Sequence, residues 1–497
     1  MKGPSDHLFK LIKSLTKSEK RYFTSQARSG KKGEKYLAIF HAIDAQSEYD
    51  EALIKRRFQA YPWIDRFNSA KEYLQKAMME DLISYNRQNE SQYSLDSLLL
   101  SIKILQKKGF YPECLKMIKK GKVLARELDD LKQLLALLEL QSLNHPGGIN
   151  PHGAEEILKE QKNAIHLLQN EYEYDLLYKL SYQILLESGL DNLKQENLKK
   201  YLLVIENPLL KMYNQALTFN SQRQFINIHY FYCRGVRKFD EMHDWILKAN
   251  SLFKNKQRII LKYPLNYATT LLNLEASLEK RGEYNEALTV LKILRSFYPR
   301  HLLKKQDRLT FIVDYASLHH ELTLLCKIGE FTEANDKLSS FLELGNIHNR
   351  EFSEDIALQH QYLLAEIYFC NERPTECKEQ LERIISLSNT DIRRDIHKKA
   401  RLLLSMVYFE GGHIDLYDSS LRSSQRFLER HKIFDDSDQV CFKILRLGLN
   451  MFENKPDVQK LLQKLEQSPQ GHPFFSAWVK SKTMIRPLAE MVKAEYQ

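Results

Sequence analysis

The chain is short of the residues that break regular structure. Gly 17 and Pro 13 in 497 residues amount to roughly 6 %, about half of ordinary usage. A β-sandwich or barrel needs many tight turns, so this shortage excludes an all-β fold and leaves an all-α one. No stretch approaches the ~18 consecutive apolar residues of a membrane-spanning helix. Lysines interrupt the apolar residues of the N-terminus MKGPSDHLFKLIKSLTKSEK too often for a secretory signal, so the expectation is a cytoplasmic protein without membrane contact. The six cysteines, Cys114, Cys233, Cys326, Cys370, Cys377 and Cys441, form no CxxC pair and no zinc-ligand spacing. Reduced, structural thiols follow. GxxxxGK[ST], GxGxxG, HExxH and GxSxG are all missing, which removes the common phosphate-loop, dinucleotide, zincin and hydrolase signatures. What remains, 43 % hydrophobic and 28 % charged residues, is the composition of a folded chain with a soluble surface.

Apolar periodicity organises the C-terminal half. In residues 268–299, Ala268, Leu271, Leu274 and Leu278 follow helical spacing up to Gly282; Tyr284, Ala287, Leu288, Leu291 and Leu294 then start a second stripe that ends before Pro299. This is a helix hairpin with a Gly-x-aromatic-x-x-Ala turn. The turn recurs as Gly329-Glu-Phe331-Thr-Glu-Ala334, and more loosely as Glu372-Arg-Pro374-Thr-Glu-Cys377, Gly412-His-Ile414-Asp-Leu-Tyr417, Gly109-Phe-Tyr111-Pro-Glu-Cys114 and Arg237-Lys-Phe239-Asp-Glu-Met242. From Met242 the last residues of these turns step by 45, 47, 43 and 40, and the gap of 128 from Cys114 to Met242 approaches three such steps. A small residue at the end of the turn lets the second helix pack closely on the first. Ala287, Ala334, Cys114 and Cys377 are therefore contact positions, and the larger Tyr417 and Met242 require a hairpin that opens or shifts.

These turns resemble the tetratricopeptide repeat, whose unit is 34 residues. The resemblance implies a right-handed α-solenoid of antiparallel hairpins with long units of about 40–47 residues over 95–435, preceded by a small basic helical region, 1–94, and closed by capping helices, 436–497. Before the array the pattern predicts helices near 5–14, 17–28, 34–46, 50–60 and 67–88, with Thr16 and Glu19 as a capping box. HPGGINPHG, 145–153, reads as a loop between long helices. After 435, helices are expected near 437–453 and 457–467, followed by a final one carrying Phe474, Phe475 and Trp478.

The net charge of +10 is concentrated at one end: ten Lys/Arg against Asp6, Glu19 and Glu34 give residues 1–36 a local +7. On the helix 17–28, Lys17, Lys20, Arg21 and Arg28 fall within a ~100° arc, a stripe that fits an anionic partner such as a nucleic-acid backbone or simply a solvated face. His145 and His152 lack further ligands for a metal, and His319, His320 and Glu321 point in different directions from one helix. No metal or cofactor is expected. The aromatic residues, with Tyr284 and Phe331 as examples, belong to the core.

In tetratricopeptide solenoids the first helix of each hairpin lines a concave groove. Aligning the turns puts Arg234, Glu279, Lys280, His319, Thr323, Lys327, Gln359, Tyr362 and Glu366 on or near that face. The set is mixed in charge, without the paired Lys and Asn that grip a peptide carboxylate in chaperone adaptors of this class. The functional expectation is a non-enzymatic scaffold or adaptor holding a protein or peptide partner in the groove. The alternative is a nucleic-acid-associated regulator that uses the basic N-terminal helices, with the repeats for sensing or oligomerisation.

Overall fold

The computed structural model describes the chain except residues 1–5, 29–32, 90, 145–150, 189–192, 194, 301–302, 304–306, 349–351, 388–391, 432, 449–454, 469–471 and 497. It is all-α, with no strand among the described residues, and it divides into two compact units, Met1–Thr270 with Tyr298–Lys305 and Leu271–Phe297 with Gln306–Gln497. No helix among the described residues is long and apolar enough to cross a membrane.

In the first unit, α1 (His7–Ser14), α2 (Lys17–Arg28), α3 (Gly33–Asp44), α4 (Glu51–Arg57) and α5 (Phe67–Asn89) enclose a core built on Ile12, Phe23, Ile39, Phe40, Ile54, Phe67 and Leu74. The capping box that starts α2 is present. The Thr16 N–H donates to Glu19 Oε2 at 2.8 Å and the Glu19 N–H to Thr16 Oγ1 at 3.2 Å, each side chain meeting an orphan donor of the first helical turn. There follow α6 (Ser91–Lys107), α7 (Tyr111–Glu127), α8 (Leu131–Leu143), α9 (Pro151–Ser188), α10 (Gln195–Ile205), α11 (Phe219–Gly235), α12 (Phe239–Phe253) and α13 (Gln257–Lys262). α14 (Pro264–Lys280) enters the second unit at Leu271.

The second unit continues with α15 (Tyr284–Ser296), then α16 (Arg308–Thr310), which runs through a π-helical turn, Phe311–Ala316, into α17 (Ser317–Lys327). Next come α18 (Phe331–Asp336), α19 (Leu338–Ile347), α20 (Glu354–Cys370), α21 (Pro374–Ile385), α22 (Arg394–Glu410) and α23 (Ile414–Arg430). The unit ends with α24 (Asp436–Leu447), α25 (Lys455–Glu466), α26 (Pro473–Met484) and α27 (Leu488–Tyr496).

One turn geometry joins the hairpins. Gly109, Gly282, Gly329 and Gly412 have φ of 82°, 78°, 78° and 67°. The following N–H donates five residues back, Phe110 to Leu105 O at 3.0 Å, Glu283 to Leu278 O at 2.9 Å, Glu330 to Leu325 O at 2.9 Å and His413 to Tyr408 O at 3.1 Å. This is a left-handed helix stop, in which the turn satisfies carbonyls the helix end leaves free. Arg237 and Glu372, at the corresponding positions of the looser copies, also have positive φ, 60° and 56°, with Lys238 to Cys233 O at 2.8 Å and Arg373 to Tyr368 O at 2.9 Å. A seventh copy, at Asp129 with φ 50° and Asp130 donating to Ala125 O at 2.8 Å, separates α7 from α8 and carries no glycine to announce it. Gly329 has a second reason to be glycine: a Cβ there would stand 2.5 Å from the Ala489 carbonyl oxygen.

The helix contacts after each turn are tight. Cys114, Ala287, Ala334 and Cys377 have no exposed surface, and all six cysteines are free thiols. Tyr417, where a small residue is usual, sends its hydroxyl past its own hairpin to the Leu445 carbonyl at 2.5 Å. Tyr284 and Phe331 are buried.

Three segments depart from the sequence pattern. α9 runs through 38 residues where regular hairpins would have placed a turn. It starts at Pro151, so His152 is helical rather than part of a loop; a proline is favoured at the first helical position because its missing N–H is not needed there. His145 lies outside the described residues. The expected single last helix is two, α26 and α27, broken at Ile485 in the left-handed region with φ 56°, two residues before Pro487.

The turn makes two stability predictions. Glu372→Gly removes the cost of a left-handed non-glycine residue, roughly 1–2 kcal/mol, against glycine's greater chain entropy, so it should raise the chemical-denaturation midpoint by the equivalent of about 1 kcal/mol. Ala287→Leu or Ala334→Leu overpacks a closed contact and should lower stability by about 1–3 kcal/mol in the same measurement.

Candidate functional site

The first helices of the successive hairpins in the second unit, α14, α17, α20 and α22, present one face each to a common pocket of about 360 Å³. Helical spacing explains the membership. His319, Thr323 and Lys327 on α17 are separated by four, one turn apart on the same face, as are Tyr362 and Glu366 on α20. Eight of the nine groove residues expected from sequence line this pocket: Glu279, Lys280, His319, Thr323, Lys327, Gln359, Tyr362 and Glu366. Arg234 does not. It sits on α11 in the first unit, where the turn alignment gives it the equivalent helix face but a different hairpin stack.

The remaining lining comes from α22 and the C-terminal helices, including Lys399, Leu402, Met406, Phe474 and Tyr496. The α22 residues were within reach of the sequence: Lys399, Leu402 and Met406 precede Gly412 by the same intervals at which Gln359, Tyr362 and Glu366 precede Glu372. Phe474 and Tyr496 carry no such signal, because they arrive through packing of the chain end.

The charges are distributed unevenly. Lys327 Nζ lies 2.5 Å from Glu279 Oε1. Burial alone would raise the Glu279 carboxyl, but the charge and hydrogen bond of Lys327 hold it below the ordinary value; burial in turn opposes the Lys327 charge and Glu279 raises its pKa. Arg393 grips Asp395 through two nitrogens, at 2.9 and 2.8 Å, and reaches Asp355 at 2.9 Å. The lysines also lie over aromatic rings, Lys327 Nζ 5.4 Å from the Tyr496 centroid and Lys399 Nζ 6.0 Å from that of Tyr362, close enough for cation–π attraction.

Two polar groups have no hydrogen-bond partner among the described residues. Glu366 is half-buried, and no hydrogen bond or ion pair to it occurs among the described residues. Burial pushes its carboxyl up, partly offset by Lys399 and Lys327. His319 Nε2 is shut off from solvent without a hydrogen-bond partner. Burial, then His320 and His360, bring that imidazole down to about 3, so it is neutral at pH 7. Its neighbours are committed elsewhere, His320 to Glu275 at 2.5 Å and Glu321 to Arg295 at 2.6 Å.

The chain widens locally beside His319. In the π-helical turn Ser317 bonds back to Val313 O at 2.5 Å, while Arg295 donates to the Ser317 hydroxyl and carbonyl, each at 2.9 Å. Such insertions disrupt the regular ladder and often occur at functional positions.

The N-terminal basic stripe is less uniform than its sequence. Lys17 and Arg21 are exposed. Lys20 instead pairs with Asp44 at 2.6 Å, because the end of α3 meets α2 there. Arg28 ends α2, and its side chain lies outside the described residues. Comparison with protein-family models, curated proteins and solved structures finds no match.

The Lys327–Glu279 pair gives a testable coupling. Lys327→Met strands a buried carboxylate and should cost about 2 kcal/mol, below the ~3–5 kcal/mol of a fully buried pair because 24 % and 18 % of the two side chains are exposed. Adding Glu279→Gln should recover part of that loss in a double-mutant cycle at pH 7. Since the folded state lowers the Glu279 pKa, the carboxylate's contribution is complete above its unfolded value and disappears as pH falls through the folded one. The coupling measured by urea denaturation should therefore vanish in acid.

Proposed function

We propose that this chain is a non-enzymatic scaffold with right-handed, tetratricopeptide-like hairpin repeats, and that the pocket of its second unit holds an extended segment of a protein partner. The open Glu366 carboxylate carries this reading. Burial opposes the Glu366 charge, so a donor brought by a ligand is worth more there than at the open surface. The buried His319 imidazole lies on the same floor. Leu402, Met406 and Phe474 provide apolar contact beside them, so polar groups fix orientation while burial supplies affinity.

Four helix faces at ~8–10 Å spacing span about 24–30 Å, room for roughly eight residues at ~3.3 Å each. A segment that crosses them with a lysine or arginine toward Glu366 and a large apolar side chain toward Met406 matches the chemistry.

A displayed library of ten-residue peptides provides the test. Selected peptides should be rich in Lys or Arg and bind in fluorescence anisotropy. Glu366→Gln, which keeps the side-chain shape, should leave the melting temperature unchanged or higher and weaken binding about tenfold or more, the scale of a lost charge-assisted hydrogen bond. A library without binders, or binders indifferent to the substitution, would overturn the reading.

A further inference from the structure

α9 is apolar on two opposite sides, and its own chain covers only one. Ile157, Ala164, Tyr174, Leu177 and Leu185 are buried, whereas Leu158, Ile165, Tyr172, Leu176 and Leu180 are 43–59 % exposed. At 100° per residue these five lie within an ~80° arc along ~33 Å of helix. A helix apolar all round needs cover all round, and a contiguous exposed stripe of this kind marks an interaction surface.

The order of side chains along the stripe identifies the cover. We propose that α9 pairs antiparallel with α9 of a second copy of this chain, about a two-fold axis near Gln169. Reversing the helix about that point sets Leu158 against Leu180 and brings Ile165 within one residue of register with Tyr172, so the stripe is its own complement, as an isologous interface requires. Leu176 then lies on the aliphatic stem of Lys162, a use of lysine that leaves its charge in water.

Charge selects the direction. Lys162, His166 and Glu173 share one flank of the stripe. In the antiparallel pair the same flank of both copies lies on one side of the seam, so Lys162 reaches Glu173 of the second copy, twice by symmetry; in a parallel pair the two flanks fall on opposite sides of the seam and Lys162 and Glu173 do not meet. Glu173 accepts one hydrogen bond from Gln169 Nε2 at 2.9 Å, and a carboxylate has capacity for more. Lys162 is exposed.

Analytical ultracentrifugation of the full chain between 1 and 200 µM tests the pairing. A reversible dimer is expected, and Ile165→Glu with Leu176→Glu should abolish it with the circular dichroism unchanged, since both residues are surface positions. A second readout is independent of that variant's folding. Gln169→Cys, on the axis, should yield a disulfide-linked dimer under mild oxidation, whereas Leu158→Cys alone should not, and Leu158→Cys with Leu180→Cys should. A monomer at every concentration, a dimer indifferent to the two glutamates, or self-linking of Leu158→Cys would overturn the proposal.

Discussion

The hairpin turn is the constraint on which the rest depends. A residue in the left-handed region, followed by an N–H that bonds five residues back, stops one helix and starts the next within three residues. The interval from that residue back along the first helix then decides which side chains share a face. His319 and Thr323 stand ten and six residues before Gly329, Tyr362 and Glu366 the same before Glu372, and Leu402 and Met406 the same before Gly412. One local hydrogen bond, repeated, thereby fixes a row of positions across the floor of the pocket. Glycine makes the turn cheap, yet Arg237 and Glu372 adopt it as well. The packing of the flanking helices therefore outweighs the roughly 1–2 kcal/mol of left-handed strain.

The floor divides between groups that hold the unit together and groups left open. Lys327 with Glu279 and Arg393 with Asp355 join neighbouring hairpins through paired charges, and Arg393 also holds Asp395 at the start of its own helix. Those pairs offset their own desolvation. Glu366 is compensated only in part, by the charges of Lys399 and Lys327, and His319 Nε2 has no hydrogen-bond partner among the described residues. Satisfied charge is what a fold retains for itself, and unsatisfied polarity facing a cavity is what a ligand can use.

Much of this is legible in the sequence itself. The periodicity placed α2 at 17–28, and the turn glycines fall where the helix stops require positive φ. The pocket residues on α14, α17 and α20 follow from the same register. Legibility failed where the deciding interaction is long-range or lacks a marker residue. Asp129 makes the same turn without glycine, which concealed the α7–α8 boundary. α9 continues through 38 residues because no glycine or proline follows Gly153 to break it, and its buried face, with Asn170 and Ser181 as the polar exceptions, offers spacing no stopping point. Lys20 looked free on its own helix; only the approach of Asp44 shows it paired. The wall formed by Phe474 and Tyr496 depends on where the chain end packs.

The two surfaces left open differ in kind, and so in what can cover them. The floor around Glu366 is recessed and mixes a half-buried carboxyl with apolar side chains; if it binds as proposed, a segment lacking a donor would leave that carboxyl desolvated and lose the affinity that burial supplies. The α9 stripe is convex, apolar and rimmed by opposite charges on one flank, so a rigid helix with the same pattern satisfies it and a flexible segment would pay heavily in conformational entropy to match its length. The recess therefore suits a segment that arrives unstructured, and the stripe suits a preformed helix. The chain itself supplies one such helix.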